Sequence, residues 1–211
     1  MVVDTTSVTN VVAGLAPHRL HGRGRSLQCL QVRVSPPLAF ALSPGSAELQ
    51  GRACNLETFL GPSARHLEQR LRAAESWDER FTLMRAALLG RAEIGPRADR
   101  EVVFAWRQMR AMHGNVRIDA LAAELGWSRK RLWSRFGAQI GLTPKRAVQL
   151  IRFDSAAWRL ANGTSPARVA AECGYADQSH LNRDAKRFTD LTPAALAQSA
   201  WLSVDDVAWP R

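Results

Sequence analysis

A block of seven residues occurs twice in this chain. Leu121-Ala122-Ala123-Glu124-Leu125-Gly126-Trp127 returns 48 positions later as Val169-Ala170-Ala171-Glu172-Cys173-Gly174-Tyr175. Each copy is followed by a second helical stretch and then by Leu-Thr-Pro, at Leu142-Thr143-Pro144 and again, 49 positions on, at Leu191-Thr192-Pro193. A duplicated unit of this length must build the same supersecondary structure twice, which removes most alternatives for the second half of the chain.

Within each unit a short alanine-rich helix ends at a glycine able to take a left-handed conformation, an aromatic follows, and a new helix starts after a polar residue. That order predicts a helix-turn-helix. The alanines let the next helix approach closely, and Trp127 or Tyr175 can pack over the corner. Ser128 is suited to cap the next helix, on which Leu132 and Phe136, four apart, face inward. Arg129, Lys130, Trp133 and Ser134 then project from the other face. In the second unit Leu181 faces inward and Gln178, Ser179, Asn182 and Arg183 project outward. Arginine, asparagine, glutamine and serine can donate to or accept from base edges in a major groove, so these eight are the candidate DNA-binding residues, with Arg183 the foremost base contact. Trp133 suits either a thymine methyl or support of its own helix. Arg131, Arg135, Lys186 and Arg187 are the candidate phosphate contacts.

Between the units, Thr143 caps and Pro144 opens a long helix that stops at Asn162-Gly163. About 18 residues at 1.5 Å each span about 27 Å, enough to hold two recognition helices at a fixed separation. Helices about 34 Å apart reach successive major-groove faces of one duplex.

Charge follows the same division. The chain carries a formal net charge of +10, and residues 97–200 hold 17 Lys and Arg against 9 Asp and Glu, so the basic excess lies with the repeat. An anionic partner is expected. Three cysteines, Cys29, Cys54 and Cys173, with no CxxC spacing support neither a disulfide framework nor a zinc ribbon. With no long apolar run and no basic start before an apolar core, a cytoplasmic protein without membrane contact is expected. His18 and His21 lack further ligands, Gly22-Arg23-Gly24 follows no strand, and nothing resembles a nucleophile elbow or a paired-carboxylate site. The expectation is a protein that is not an enzyme, with no catalytic residues, no metal and no cofactor.

Ahead of the repeat, residues 1–26 read as a flexible leader without regular structure. Residues 27–61 read as a short β remnant, with strands expected over Leu27–Val34 and from Phe40 to Leu42, too short for a barrel of roughly eight strands. Residues 62–112 read as helical. Ala64, Leu67, Leu71 and Ala74 mark one helix; Ser76 with Glu79 forms a capping box for a second, ending near Gly90; a third runs from about Arg97 to Met112. The first two helices, over 62–92, are expected to pair two chains through Leu67, Leu71, Phe81, Met84 and Leu88. The alternative is that this face packs on the chain's own strands or on the third helix. The fold expected is therefore mainly α: two helix-turn-helix units joined by a long linking helix over 113–199, preceded by a helical pair and a short β remnant, with a tail at 200–211.

Arg117 to Ala197 resembles the DNA-binding domain of the AraC/XylS family of bacterial transcription regulators. The likeness rests on Leu121, Gly126, Gly141-Leu142-Thr143-Pro144, Arg152, Ala156, Ala170, Ala171, Gly174, Tyr175, Lys186 and Thr192-Pro193. It implies a transcription factor that binds specific double-stranded DNA, with RNA polymerase as a further partner. Residues 27–112 are similar to the end of a sensory region in a family subgroup, where strands precede a helical pair used for dimerisation. The chain departs from the family at Ala185, where an aromatic is usual and where the first unit has Phe136. The alternative function is a protein-interaction or inhibitory fragment that dimerises without productive DNA binding.

Overall fold

The computed structural model describes residues 2–4, 10–15 and 29–198, which form two compact units. The first comprises the described residues up to Val102 together with Ser134–Leu142. It contains four short strands, β1 (Val2–Asp4), β2 (Asn10–Ala13), β3 (Cys29–Gln31) and β4 (Ala53–Cys54), in the order β3-β1-β2-β4. All pairings are antiparallel, with Val2 opposite both Val11 and Gln31 and Val12 opposite Cys54. Strands β1 and β2 therefore correct the expectation of a leader without regular structure. They are three and four residues long, too short to show a period, and they form because the valines find partners remote in sequence. Residues 5–9 and 16–26 of that segment lie outside the described residues, as does the tail at 200–211.

The strand expected from Phe40 is instead part of helix α1 (Pro36–Leu42). Pro36 and Pro37 open that helix rather than ending a strand: the Ser35 hydroxyl accepts from the Leu38 N–H at 3.4 Å, and a proline at the first helical position gives up an N–H that had no partner anyway. A 3₁₀ turn at Pro44–Glu48 follows, then α2 (Leu56–Leu60), capped by Asn55 Oδ1 on the Thr58 N–H at 2.7 Å. Helices α3 (Ser63–Ala73) and α4 (Trp77–Ile94) are the expected pair. At the start of α4, Ser76 Oγ accepts from the Glu79 N–H at 3.2 Å, and the Glu79 carboxylate reaches back to the Glu75 N–H at 2.9 Å, one residue before the cap. Gly90 does not stop α4, which runs four residues further.

The core of this unit joins Val12, Leu30, Leu42, Leu56, Phe59 and Leu60 to Leu67, Leu71, Met84 and Leu88. Four of the five residues expected to pair two chains are thus buried in the chain's own core, as the alternative reading had it. Phe81 alone of the five is exposed, at 54%, beside the exposed Trp77.

The second unit comprises Val103–Trp133 and the described residues from Thr143 on. Along the chain run α5 (Arg100–Ala111), α6 (Ile118–Glu124), α7 (Arg129–Ile140), α8 (Pro144–Ala161), α9 (Pro166–Glu172), α10 (Gln178–Thr189) and α11 (Pro193–Ala197). The duplication includes one more helix than the seven-residue block indicates. Helix α5 ends at His113 and Gly114, both with positive φ, and α8 ends at Gly163, likewise positive, 49 positions later. Each copy is therefore a run of three helices, α5-α6-α7 and α8-α9-α10. Gly126 and Gly174 take left-handed conformations at φ 63° and 71°, as the turn between the last two helices of each copy requires.

The caps recur as well. Thr143 Oγ1 accepts from the Arg146 N–H and Thr192 Oγ1 from the Ala195 N–H, each at 3.2 Å, so α11 starts as α8 does. Phe153, Ala156, Leu160, Val169, Ala170, Cys173, Tyr175, Leu181, Ala185 and Leu196 form a core here, with Phe188 packed against it. Three residues beyond Ala185, Phe188 stacks on Phe153 with ring centroids 5.0 Å apart.

Candidate nucleic-acid interface

Helix α10 presents its polar residues as one surface. Asp177 caps it, Oδ1 accepting from the His180 N–H at 2.6 Å, while Leu181, Asp184 and Ala185 turn inward. Gln178, Ser179, Asn182, Arg183, Lys186 and Arg187 are all exposed, and no acidic residue shares those positions. At 3.6 residues per turn, 179, 182, 183 and 186 lie side by side. Among the described residues, Arg183 Nε makes a long contact, 3.4 Å, to the Ser179 carbonyl of its own helix, which leaves the guanidinium its remaining donors. The Tyr175 ring sits at the corner before α10, edge-on to His180 at 5.1 Å. Burial pushes its phenol well above the ordinary range, with Asp184 adding to the rise.

Helix α7 starts from a serine cap, with Ser128 Oγ accepting from the Arg131 N–H at 3.2 Å. Its candidates are less uniform. Lys130 and Ser134 are exposed and four apart, hence on one face. Arg129 pairs with Asp119 of α6 at 3.0 Å and lies 5.7 Å from the half-buried Trp133 ring, which favours a supporting role for that indole. Arg131 lies over Trp127 at 4.6 Å. Arg135 is held by Asp99.

Asp99, Arg146 and Asp184 stand out in no local pattern of the sequence, because a charge interaction across tens of residues has no local signature. Arg146 lies 4.4 Å from the Phe188 ring; burial, and then the like charge of Arg187, lower its pKa, while Asp184 opposes that shift. Among the described residues no three His, Cys, Asp or Glu side chains cluster to hold a metal ion, and His18 and His21 lie outside them. Among the described residues no helix is long and apolar enough to cross a membrane.

A helix-turn-helix that leads into an exposed basic helix is the build of a DNA-binding domain of the kind transcription regulators carry. Residues 121–199 match the family model described as "Helix-turn-helix domain". Over 67 residues the chain is 37% identical to the uncharacterized HTH-type transcriptional regulator YbfI of Bacillus subtilis (strain 168), a match covering 32% of this chain and 24% of that protein. No solved structure matches. Over residues 121–199 the chain is thus similar to helix-turn-helix transcription regulators. It spans about a quarter of the length of the curated relative it matches.

Proposed function

We propose that this protein binds a specific double-stranded DNA site through α7 and α10 together and regulates transcription from it, as a cytoplasmic protein. The observation that carries the reading is the surface of α10: four side chains fit to read base edges, Gln178, Ser179, Asn182 and Arg183, flanked by Lys186 and Arg187 with no exposed acid among them. In this reading Lys130 and Ser134 serve the same purpose on α7, and Arg131, Lys186 and Arg187 meet phosphates. The linking helix α8, 18 residues and so about 27 Å long, supplies the spacing for two groove segments. Contact with RNA polymerase belongs to the same reading and rests on the family resemblance alone.

Selection of bound sequences from a random duplex library by the full chain tests it. The expected product is a site with two conserved segments, bound with an affinity that falls steeply as salt rises. Recovery of no enriched sequence would sink the proposal in favour of an interaction fragment.

A further inference from the structure

The loop between α5 and α6 touches the linking helix and the second turn at once. Gly114 lies so close to α8 that a Cβ there would stand 2.5 Å from the Val148 carbonyl oxygen and 2.7 Å from the Arg152 nitrogen. Its own carbonyl accepts from Arg152 Nη2 at 3.1 Å. The same guanidinium lies 5.7 Å from the centroid of Tyr175, the aromatic at the corner before α10. The neighbouring Asn115 lies against the second turn itself, its Oδ1 3.4 Å from where a Cβ on Gly174 would lie. One arginine and two residues of this loop, Gly114 and Asn115, therefore tie the approach to the first helix-turn-helix to the turn of the second. A guanidinium can do both because it is planar: an edge donates to a carbonyl while a face meets a ring, which an ammonium cannot reproduce.

We infer that Arg152 is a positioning residue that fixes the second helix-turn-helix against the first, and thereby sets the separation between DNA segments that the protein accepts. Phe153, Ala156 and Leu160 already seat α9 and α10 on the linking helix through their shared core. The clasp adds the contact between that body and the loop leading into the first helix-turn-helix. The inference rests on the two-helix reading proposed above, and its consequence is specificity for spacing rather than for base sequence.

The test uses the full chain and the site obtained by selection. Affinity is measured for that site, for versions with one base pair inserted or deleted between the two conserved segments, and for each segment alone. Arg152→Met keeps the aliphatic stem and removes the fork; Arg152→Lys keeps the charge but not the planar geometry. The wild-type preference for the native spacing should fall by about tenfold in both variants, the loss of one charge-assisted hydrogen bond, while binding to single segments stays unchanged. Retention of the full spacing preference by both variants overturns the inference. Equal loss on whole sites and single segments also overturns it, since that marks general support of the fold. A wild-type chain without any spacing preference defeats the two-helix reading itself, so the two failures are distinguishable. If Arg152→Met does not fold by thermal unfolding, Asn115→Ala, at an exposed position, carries the same readout and the same expected direction.

Discussion

Arg135 and Asp99 face each other in a two-point ion pair, Nε to Oδ2 at 2.7 Å and Nη2 to Oδ1 at 2.8 Å. The Asp99 N–H also donates to Oε1 of the buried Gln139 at 2.8 Å, so the segment before α5 grips α7 at two points. The matching position of the second copy also carries a charge, of opposite sign. Forty-nine residues after Arg135 stands Asp184, buried on α10, whose charge acts on Arg146 near the start of α8. Both copies therefore turn this position toward their own chain.

It follows that Arg135 contributes little to phosphate binding even though its place on a basic helix suggests it. Arg135→Gln should leave the slope of log affinity against log salt nearly unchanged, whereas Lys186→Gln should reduce it by about 0.9, the release expected for one phosphate contact. Asp99→Asn, which frees the guanidinium, should steepen the slope by a similar amount. A reduced slope for Arg135→Gln would restore that residue to the phosphate set.

This pair also marks where the sequence stops being legible. The repeat, its caps and its two turn glycines are visible because each depends on residues within a few positions of one another: Ser128 with Arg131, Thr143 with Arg146, and Gly126 and Gly174 at fixed offsets. The exposed face of α10 is visible for the same reason. Asp99 with Arg135 spans 36 residues, and Arg152 with Gly114 spans 38, so neither shows in any local pattern. Proline misleads over 36–42, since it can end a strand or open a helix and only the cap at Ser35 decides. Phe81 fits the apolar stripe of α4 by spacing, yet it sits at the rim of that stripe and remains exposed.

On α10, Arg183 and Arg187 are both exposed and differ by about one helical turn, which should separate a base contact from a phosphate contact. Arg183→Ala should weaken binding to the selected site by about 1–3 kcal/mol and relax preference at one position. Arg187→Ala should weaken all sequences alike. Repeating the library selection with each variant distinguishes them, and an unaltered preference at every position for Arg183→Ala would demote it to a phosphate contact.

Acid should loosen the contact between α8 and α9. The Glu172 carboxylate accepts from Arg168 Nε at 2.6 Å and pairs also with Arg159 on α8, and the hydrogen bond from Arg168 leads the causes that hold its pKa below the usual 4.5. A depressed carboxylate contributes stability above its ordinary pKa and loses that contribution as pH falls through its folded value, so the window lies below 4.5. The melting temperature of Glu172→Gln should therefore lie under that of the wild type near neutrality, with the gap closing in acid. A gap independent of pH would show that the carboxylate is not the titrating group.

In the second copy an alanine, Ala185, stands where the first copy has Phe136, and an aromatic, Phe188, lies three residues further on. Ala185 is wholly enclosed, and Phe188 packs against the same core, stacked on Phe153 at 5.0 Å with the Arg146 guanidinium over its other neighbourhood at 4.4 Å. Truncating a well-packed phenylalanine costs about 3–5 kcal/mol when it is fully buried, and Phe188 is only partly so, which puts Phe188→Ala at about 2–3 kcal/mol. Adding a ring at 185 without removing the one at 188 overfills the site, an error that typically costs about 1–3 kcal/mol. Ala185→Phe should thus lower the melting temperature, whereas an unfilled site would raise it. At about 4–8 °C per kcal/mol for a domain of this size, both shifts are easily resolved by thermal unfolding. The double variant Ala185→Phe with Phe188→Ala should recover part of the loss, because it returns the ring to the position it holds in the first copy as Phe136. A higher melting temperature for Ala185→Phe alone would mean that Phe188 leaves the space open.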